Sequence, residues 1–434
     1  MKTTFQTLPN GLELGVARNR HLNTVVVLVG VRVGSRHEPK GLYGAAHFVE
    51  HMLFKGTKRR PSSKALSDLI EAKGGDHNAF TDKDWTCFQI QMVKNDGMVA
   101  VDVAHDMVAH PLFRTVDVET ERAIVRDEIE SSDDEVEALS EGVAYAGTGL
   151  ARTILGTVED VGFSAAALRK FFRRHYVPSR MVVVLAGAVE ERVVVEAARL
   201  FGSLPSATGS DTGHQDDVVL AEPAKSRIAF KATSGERLDV MMRFPGVPQG
   251  HPHSLPLELL TLALGGLSSG RLFQSLREQQ GICYDVSASV SGYRGTGSVV
   301  ITTEVAPSRF GAAMRAIWDV VAPVRKFGLT AEELEVVKAY TRASVLMNQD
   351  KPMRVAEEAA KATLDGRYRP PTEEIRRINA VTLEDVKMVA KQYLDMTKVH
   401  VAVIGPASAR RSVERPVAAP WLWVERPVAA PWLW

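Results

Sequence analysis

The sequence has little cysteine, no excess of either charge and no long apolar run. Cys87 and Cys283 are the only cysteines among 434 residues, which excludes a disulfide framework and favours a reducing compartment. The formal net charge of +1 gives no reason to expect nucleic-acid binding. No stretch approaches the roughly 20 uncharged apolar residues of a membrane span, and residues 1–11 lack the apolar core of a signal peptide. We therefore expect a cytoplasmic protein that binds no membrane.

The composition is typical of a folded globular protein. Apolar residues make up 45% of the chain and charged residues 24%, and the length suggests more than one domain. A helical pattern followed by an apolar strand occurs at 168–187 and again at 386–405, an offset of about 220 residues. We predict an α+β fold of two homologous α/β-sandwich domains, each a mostly antiparallel sheet with helices packed on it, related by internal duplication.

A change in composition predicts where these domains meet. Residues 206–217 are rich in Ser, Thr and Gly and are interpreted as a linker. We therefore predict an N-terminal metal-binding domain at 1–205 and a homologous non-catalytic domain at 218–408. Residues 409–434 are a tail rich in Pro and Trp, in which one eleven-residue segment occurs twice without change; we interpret it as a duplication without a role.

One predicted helix, between Gly44 and Gly56, carries the most specific motif. His47 and His51 are four residues apart and Glu50 is three from His47, so all three project from one helix face. Two neutral imidazoles at this spacing suit a zinc-like ion, and the carboxylate beside them can take a proton from water. A lone histidine on an apolar helix face is usually a core residue. Two histidines in the inverzincin order His-x-x-Glu-His favour a metal site instead.

A second predicted helix, Val116 to Ser131, offers the missing ligand. Glu121 and Glu128 are two helical turns apart and can face the same way. A catalytic zinc takes three protein ligands and a water. One of these carboxylates could therefore complete the donor set, while the other holds a ligand imidazole. Spacing alone does not choose between them.

These motifs resemble the pitrilysin/insulinase family of zinc peptidases, in particular its short bacterial members similar to the mitochondrial processing peptidase β-subunit. Further matching stretches are residues 8–12, 75–81 and 145–157. The resemblance implies one zinc ion per chain, with Glu50 as the general base and Glu121 as a supporting carboxylate. The zinc ligands that it implies are His47, His51 and Glu128.

The resemblance also implies a strand that holds the substrate backbone. Residues 76–92 become an alternating strand towards their end. Such a strand could add an extended peptide at its edge or be an ordinary sheet strand. The residues that match the substrate-binding edge of the family are Asn78, Ala79, Phe80 and Thr81.

The second half of the chain has its own marked segment at 265–284. It reads as a glycine-rich turn, an amphipathic helix and the start of a strand, and it lacks the Gly-Lys-Ser/Thr ending of a phosphate loop. The segment resembles the one through which the family's C-terminal domain contributes to the active site. Arg277 and Tyr284 would then bind the substrate carbonyl and help to stabilise the oxyanion. Without the resemblance they are a helix-end arginine and a strand tyrosine.

We therefore predict a zinc-dependent endopeptidase that acts on peptides or unfolded segments. The resemblance implies a homodimer, or a heterodimer with a related chain. The alternative is a non-catalytic peptide-binding or assembly subunit of the same fold, and a metal-dependent hydrolase of small molecules is a third hypothesis. The complete set of metal ligands and general base favours the peptidase, because a scaffold has no need of it.

Overall fold

A computed structural model of the chain describes residues 1–132, 135–206 and 227–414. The predicted linker, apart from its first residue, and residues 415–434 of the predicted tail lie outside these ranges. The described strands are β1 (Thr3–Thr7), β2 (Glu13–Arg18), β3 (Thr24–Val31), β4 (Asp76–Thr81), β5 (Thr86–Val93), β6 (Met181–Gly187), β7 (Arg227–Ala232), β8 (Leu238–Pro245), β9 (Cys283–Tyr293), β10 (Thr296–Val305) and β11 (His400–Gly405).

Helices connect and cover these strands. They are α1 (Ala45–Leu53), α2 (Ser63–Glu71), α3 (Gly97–Ala109), α4 (Thr115–Ser131), α5 (Glu135–Ala144), α6 (Ala165–His175), α7 (Glu191–Gly202), α8 (Ser254–Thr261), α9 (Phe310–Phe327), α10 (Ala331–Asn348), α11 (Pro352–Leu364), α12 (Pro371–Ala380), α13 (Leu383–Tyr393) and α14 (Arg410–Glu414). Wider π-helical turns occur at Leu262–Gly266 and Phe273–Gln279. Among the described residues, no helix is both long and apolar enough to cross a membrane.

The first of two compact units contains a six-stranded sheet. Of the described residues it takes 1–132, 152–206 and 344–374. The strand order is β1-β2-β6-β3-β5-β4, with β2 and β6 parallel and the other pairs antiparallel. The central strands β3 and β6 are buried almost throughout because helices pack on both faces of the sheet. Strand β4 lies at one edge and pairs only with β5 among the described strands.

The second unit repeats this plan. It takes the described residues 135–151, 227–343 and 375–414, and its sheet has the order β7-β11-β8-β10-β9. As in the first sheet, a parallel pair is followed by antiparallel pairs. Strands β6 and β11, which end the two predicted repeats, occupy equivalent places. The predicted α+β fold with internal duplication is confirmed.

Each unit also takes one helix from the opposite half of the chain. Helix α11 covers a face of the first sheet, where Val355, Ala356, Ala359 and Ala360 pack against alternate residues of β3 and β6. Helix α5 packs against strands of the second sheet, β8 and β11. Two segments therefore cross the predicted boundary at 206–217, and the boundary itself stays a prediction. The second unit also extends past residue 408, since α14 buries Val413 completely.

A buried arginine fastens α5 to its sheet. Arg243 on β8 is 1% exposed. It donates to Ser140 Oγ (3.0 Å) and to Glu137 Oε1 (3.1 Å) on α5, and to Ser298 Oγ on β10 (2.8 Å). Tyr145 OH, just beyond the helix, also donates to Ser298 Oγ (3.0 Å). A buried guanidinium needs such hydrogen-bond partners, so these polar groups fix the position of α5 on the second sheet.

Candidate metal centre

Helix α1 carries the histidine motif, and nearly all of it is buried. It begins after Gly44, which has the left-handed φ of 86°, and it ends at Leu53. His47 and Glu50 are buried, whereas His51 is partly exposed. The other side chains of α1 are apolar and belong to the core of the first unit. The fold therefore places three polar side chains on an otherwise apolar helix.

Helix α4 brings both predicted carboxylates to this motif. Glu128 Oε1 lies 3.5 Å from His47 Nε2, and Glu128 Oε2 lies 3.5 Å from His51 Nε2. The hydrogen bond from His47 is the main reason why the pKa of Glu128 is lowered. Glu121, two turns earlier, instead lies 2.8 Å from the other nitrogen of His51, Nδ1. The structure thus distinguishes two carboxylates that spacing alone left equivalent.

The donor set formed by His47, His51 and Glu128 fits a zinc ion. The two Nε2 atoms are 3.1 Å apart, and two zinc–nitrogen bonds of about 2.05 Å at a tetrahedral angle would place them about 3.3 Å apart. The ligand atoms of all three residues lie within 4.8 Å of one another, and no other set of three His, Cys, Asp or Glu in the described ranges does so. Two imidazoles and one carboxylate leave a fourth position for water or substrate.

A chain of charged groups orients His51. Its Nδ1 bonds Glu121 Oε1, and the other oxygen of Glu121 forms an ion pair with the Lys55 ammonium. Burial favours the neutral form of Glu121, but the bonds from His51 and Lys55 outweigh it and lower the pKa of this carboxyl. Burial likewise opposes charging of His51, yet the bond to Glu121 raises its pKa. An Nδ1–H bonded to a carboxylate leaves the Nε2 lone pair free for a metal.

The arrangement around His47 is different. Its Nδ1 is buried and has no hydrogen-bond partner within the part of the chain that the structure describes. No carboxylate therefore sets the orientation of this imidazole in the way that Glu121 does for His51. His47 lies in the first turn of α1, and its Nε2 faces His51 and Glu128.

Glu50, the predicted general base, is fixed by a strand residue. Thr81 Oγ1, on β4, donates to Glu50 Oε2 (2.6 Å). The Glu50 side chain is largely buried, and burial raises the pKa of its carboxyl. A buried carboxyl with a raised pKa beside a metal donor set is a common feature of general bases. Thr81, predicted as a substrate contact, therefore also orients Glu50.

The predicted substrate edge is strand β4. In an antiparallel pair, successive N–H groups alternate between the two sides of a strand. The N–H of Ala79 bonds Asn78 Oδ1 (2.8 Å) and the N–H of His77 bonds Asp76 Oδ1 (2.9 Å), so both are satisfied by local side chains. The Phe80 ring packs edge-on against Trp85, with centroids 5.1 Å apart. Phe80 therefore belongs to the sheet packing, and its side chain does not join the metal residues.

A pocket of about 270 Å³ lies beside the motif. Its lining residues come from the end of α1, from β4 and from α4: Glu50, His51, Phe54, Lys55, His77, Asn78, Ala79 and Glu121. Sequence reasoning missed Phe54, Lys55 and His77. The spacing of Lys55, four residues after His51, could have placed it on the motif face. Nothing local indicates His77, whose ring lies 5.5 Å from that of Phe54.

Arg277 and Tyr284 lie in the second unit and are neighbours there. The Arg277 guanidinium carbon is 4.9 Å from the centre of the Tyr284 ring and 4.7 Å from that of Phe273. Tyr284 is 74% exposed on the edge strand β9. The structure brings this predicted pair together, and its role in substrate binding stays a prediction.

Comparison with known families gives matches across most of the chain. Residues 16–158 match the family model described as Insulinase (Peptidase family M16). Residues 162–340 match the model described as Peptidase M16 inactive domain. The residues of the metal donor set all fall in the first match.

Similar proteins align with most of the chain. An uncharacterized zinc protease of Mycobacterium bovis is 33% identical over an alignment of 428 residues that covers 95% of each chain. A probable mitochondrial-processing peptidase subunit beta of Arabidopsis thaliana is 29% identical over 430 residues, covering 93% of this chain and 78% of its own length. The crystal structure of a protease from Helicobacter pylori superposes with a TM-score of 0.87 at 20% identity, covering 93% of this chain and 99% of that one.

Proposed function

Because the chain belongs to the insulinase family, peptidase family M16, we propose that it is a zinc-dependent endopeptidase acting on peptides or unfolded segments. The observation that carries this proposal is the meeting of His47, His51 and Glu128 at one point beside the buried carboxyl of Glu50. A peptide-binding scaffold has no use for this combination of a metal donor set and a proton acceptor.

The side chains support a hydrolytic mechanism. Zinc held by these three ligands would supply Lewis acidity towards the scissile carbonyl and would lower the pKa of water. Glu50 accepts the proton of the attacking water and returns it to the leaving amine nitrogen. Thr81 holds one oxygen of Glu50, which limits the rotation of the carboxyl. Lys55 and Glu121 hold His51 in the tautomer that donates from Nδ1.

We place the substrate backbone along β4. Its position at the sheet edge leaves one row of backbone groups free of strand pairing among the described strands, and an extended peptide can pair with such a row. The Asn78 side chain would release the N–H of Ala79 when a peptide takes its place. This mode binds main chain rather than side chains, which is consistent with action on unfolded segments.

The decisive experiment compares wild type with Glu50→Gln on one purified sample of each. We expect about one zinc ion per chain in both proteins. We expect cleavage of a quenched-fluorescent peptide mixture to fall by about 10³-fold in the variant, since general acid–base catalysis supplies this order of rate. His51→Ala should lose zinc and cleavage together.

Glu119→Gln is the matched control. It removes the same charge from an exposed position of α4, where Glu119 pairs with Arg122, and it should leave zinc content and cleavage unchanged. Wild-type turnover in Glu50→Gln would refute the mechanism. Zinc without cleavage of any peptide by the wild type would favour the non-catalytic subunit, and cleavage of esters alone would favour a small-molecule hydrolase.

We also propose that the protein acts as a homodimer, or as a heterodimer with a related chain. Support comes from the relative that is named as a β-subunit and from the presence of both predicted site segments in this chain. Sedimentation of the purified protein distinguishes these states, because a homodimer forms without another chain and a heterodimer does not.

A further inference from the structure

We propose that Glu38 is a positioning residue for the metal centre, because its carboxyl group anchors the first turn of α1 and thereby places His47. The inference rests on the proposed function only in taking zinc as the ligand. It concerns a residue outside the metal motif, nine positions before His47.

The Glu38 side chain takes the place of a helix cap. Its Oε2 accepts from the N–H of Gly44 (2.8 Å) and its Oε1 from the N–H of Ala46 (2.7 Å). Gly44 is the capping position of α1 and Ala46 its second residue. The first N–H groups of a helix have no partner inside it, and the two oxygens of Glu38 accept from two N–H groups at this end. Glu38 is only 2% exposed, so water does not compete for these bonds.

The helix cannot supply this cap itself. Gly44 has a φ of +86°, which L-residues with side chains rarely adopt, and a Cβ there would lie 2.4 Å from the carbonyl oxygen of Leu155. The usual capping residues, Ser, Thr, Asn and Asp, are therefore excluded at position 44. The preceding loop instead supplies the carboxyl group of Glu38, which accepts from these N–H groups.

The surrounding residues hold Glu38 in place. The Arg152 guanidinium donates to the backbone oxygen of Glu38 and lies over the Tyr43 ring, 4.2 Å from its centre. The Lys83 ammonium in turn donates to the backbone oxygen of Arg152. These contacts tie the loop before α1 to the segment that contains Leu155.

The contacts of Glu38 affect the position of His47 more than that of His51. His47 is the third residue of α1, within the turn that Glu38 anchors, and its Nδ1 has no hydrogen-bond partner among the described residues. His51 lies one turn later and is held separately by Glu121. Loosening the first turn should therefore displace one ligand while the rest of the site stays formed.

The test measures zinc affinity rather than cleavage. Apo protein is titrated with zinc against a chromogenic chelator for wild type, Glu38→Gln and Glu38→Ala, with thermal unfolding of each apo protein recorded in parallel. We expect the zinc dissociation constant to rise by about 10-fold in Glu38→Gln and further in Glu38→Ala, the order seen when supporting residues of metal ligands are changed.

The matched control is Thr382→Ala. Thr382 caps α13 in the second unit, which contributes no metal ligand, through its bond from the N–H of Asp385. Its loss should lower the unfolding temperature without changing zinc affinity. Unchanged zinc affinity in both Glu38 variants, with only a lower unfolding temperature, would overturn the proposal.

A measurement on the wild type covers the case in which the variants do not fold. Hydrogen exchange of the apo protein should show the amides of Gly44 and Ala46 protected as strongly as those within α1, and rapid exchange of both would overturn the proposal. The peptidase proposal fails separately, since a wild type that binds zinc without cleaving peptides still allows both Glu38 measurements.

Discussion

Glu121→Gln should weaken zinc binding without removing any zinc ligand. Glu121 receives the Nδ1–H of His51 at 2.8 Å and neutralises the Lys55 ammonium on its other oxygen. The glutamine amide can accept from only one side, so either His51 or Lys55 faces an N–H₂ group. Changes of such supporting groups lower metal affinity by about 10- to 100-fold, which corresponds to about 1.4–2.7 kcal/mol.

The assay is a competitive zinc titration of the apo protein. Glu119→Gln, on the exposed side of the same helix, should bind zinc as the wild type does. Lys55→Met should weaken binding less than Glu121→Gln, and the double variant should be no weaker than Glu121→Gln alone if Lys55 acts through Glu121. An affinity of Glu121→Gln within about twofold of wild type would refute this account of His51.

Three further predictions concern the stability of the two units. Burial raises the pKa of Glu38 to about 8, against its two N–H donors, Arg152 and Lys83. The folded protein therefore binds the Glu38 proton more tightly than the unfolded chain does. This binding stabilises the fold fully when the pH lies below the pKa of Glu38 in the unfolded chain, and the contribution is lost as the pH rises through about 8. As the pH is raised from 5 to 9, the unfolding temperature of the wild type should therefore approach that of Glu38→Gln. A difference between the two unfolding temperatures that widens with pH would contradict this. Arg243→Met should lower the free energy of unfolding by about 3 kcal/mol in urea titrations, because Ser140 and its neighbours lose a buried partner. Ala356→Asp should unfold the first unit by placing a carboxylate under the sheet, measured by circular dichroism against the exposed Arg354→Gln.

The sequence predicts the metal helix well because its evidence is local. Two histidines and a glutamate at helical spacing need only one helix to meet, and the observed Ala45–Leu53 lies within the predicted stretch. The choice between Glu121 and Glu128 came from family resemblance. It could not come from spacing, since the two residues face the same histidine pair and differ only in which imidazole nitrogens they approach.

What the sequence does not predict depends on contacts far apart in the chain. The role of Glu38 arises because the Leu155 carbonyl excludes a side chain at Gly44. The periodicity of the sequence does not indicate that these two residues are close. Sequence patterns likewise do not show that α5 and α11 each pack on a sheet from the opposite half of the chain. An amphipathic helix shows which face is buried but not which sheet buries it.

The placement of α11 has a consequence for synthesis on the ribosome. The last strand of the first sheet, β6, ends at Gly187, but the helix that covers Val26, Leu28 and Val184 ends only at Leu364. At about 5–20 residues per second, these two points emerge roughly 9–35 s apart. Throughout that interval the nascent chain carries an apolar sheet face without its native cover, which makes it prone to aggregation. Synthesis past Leu364, rather than completion of the first half of the chain, ends this exposure.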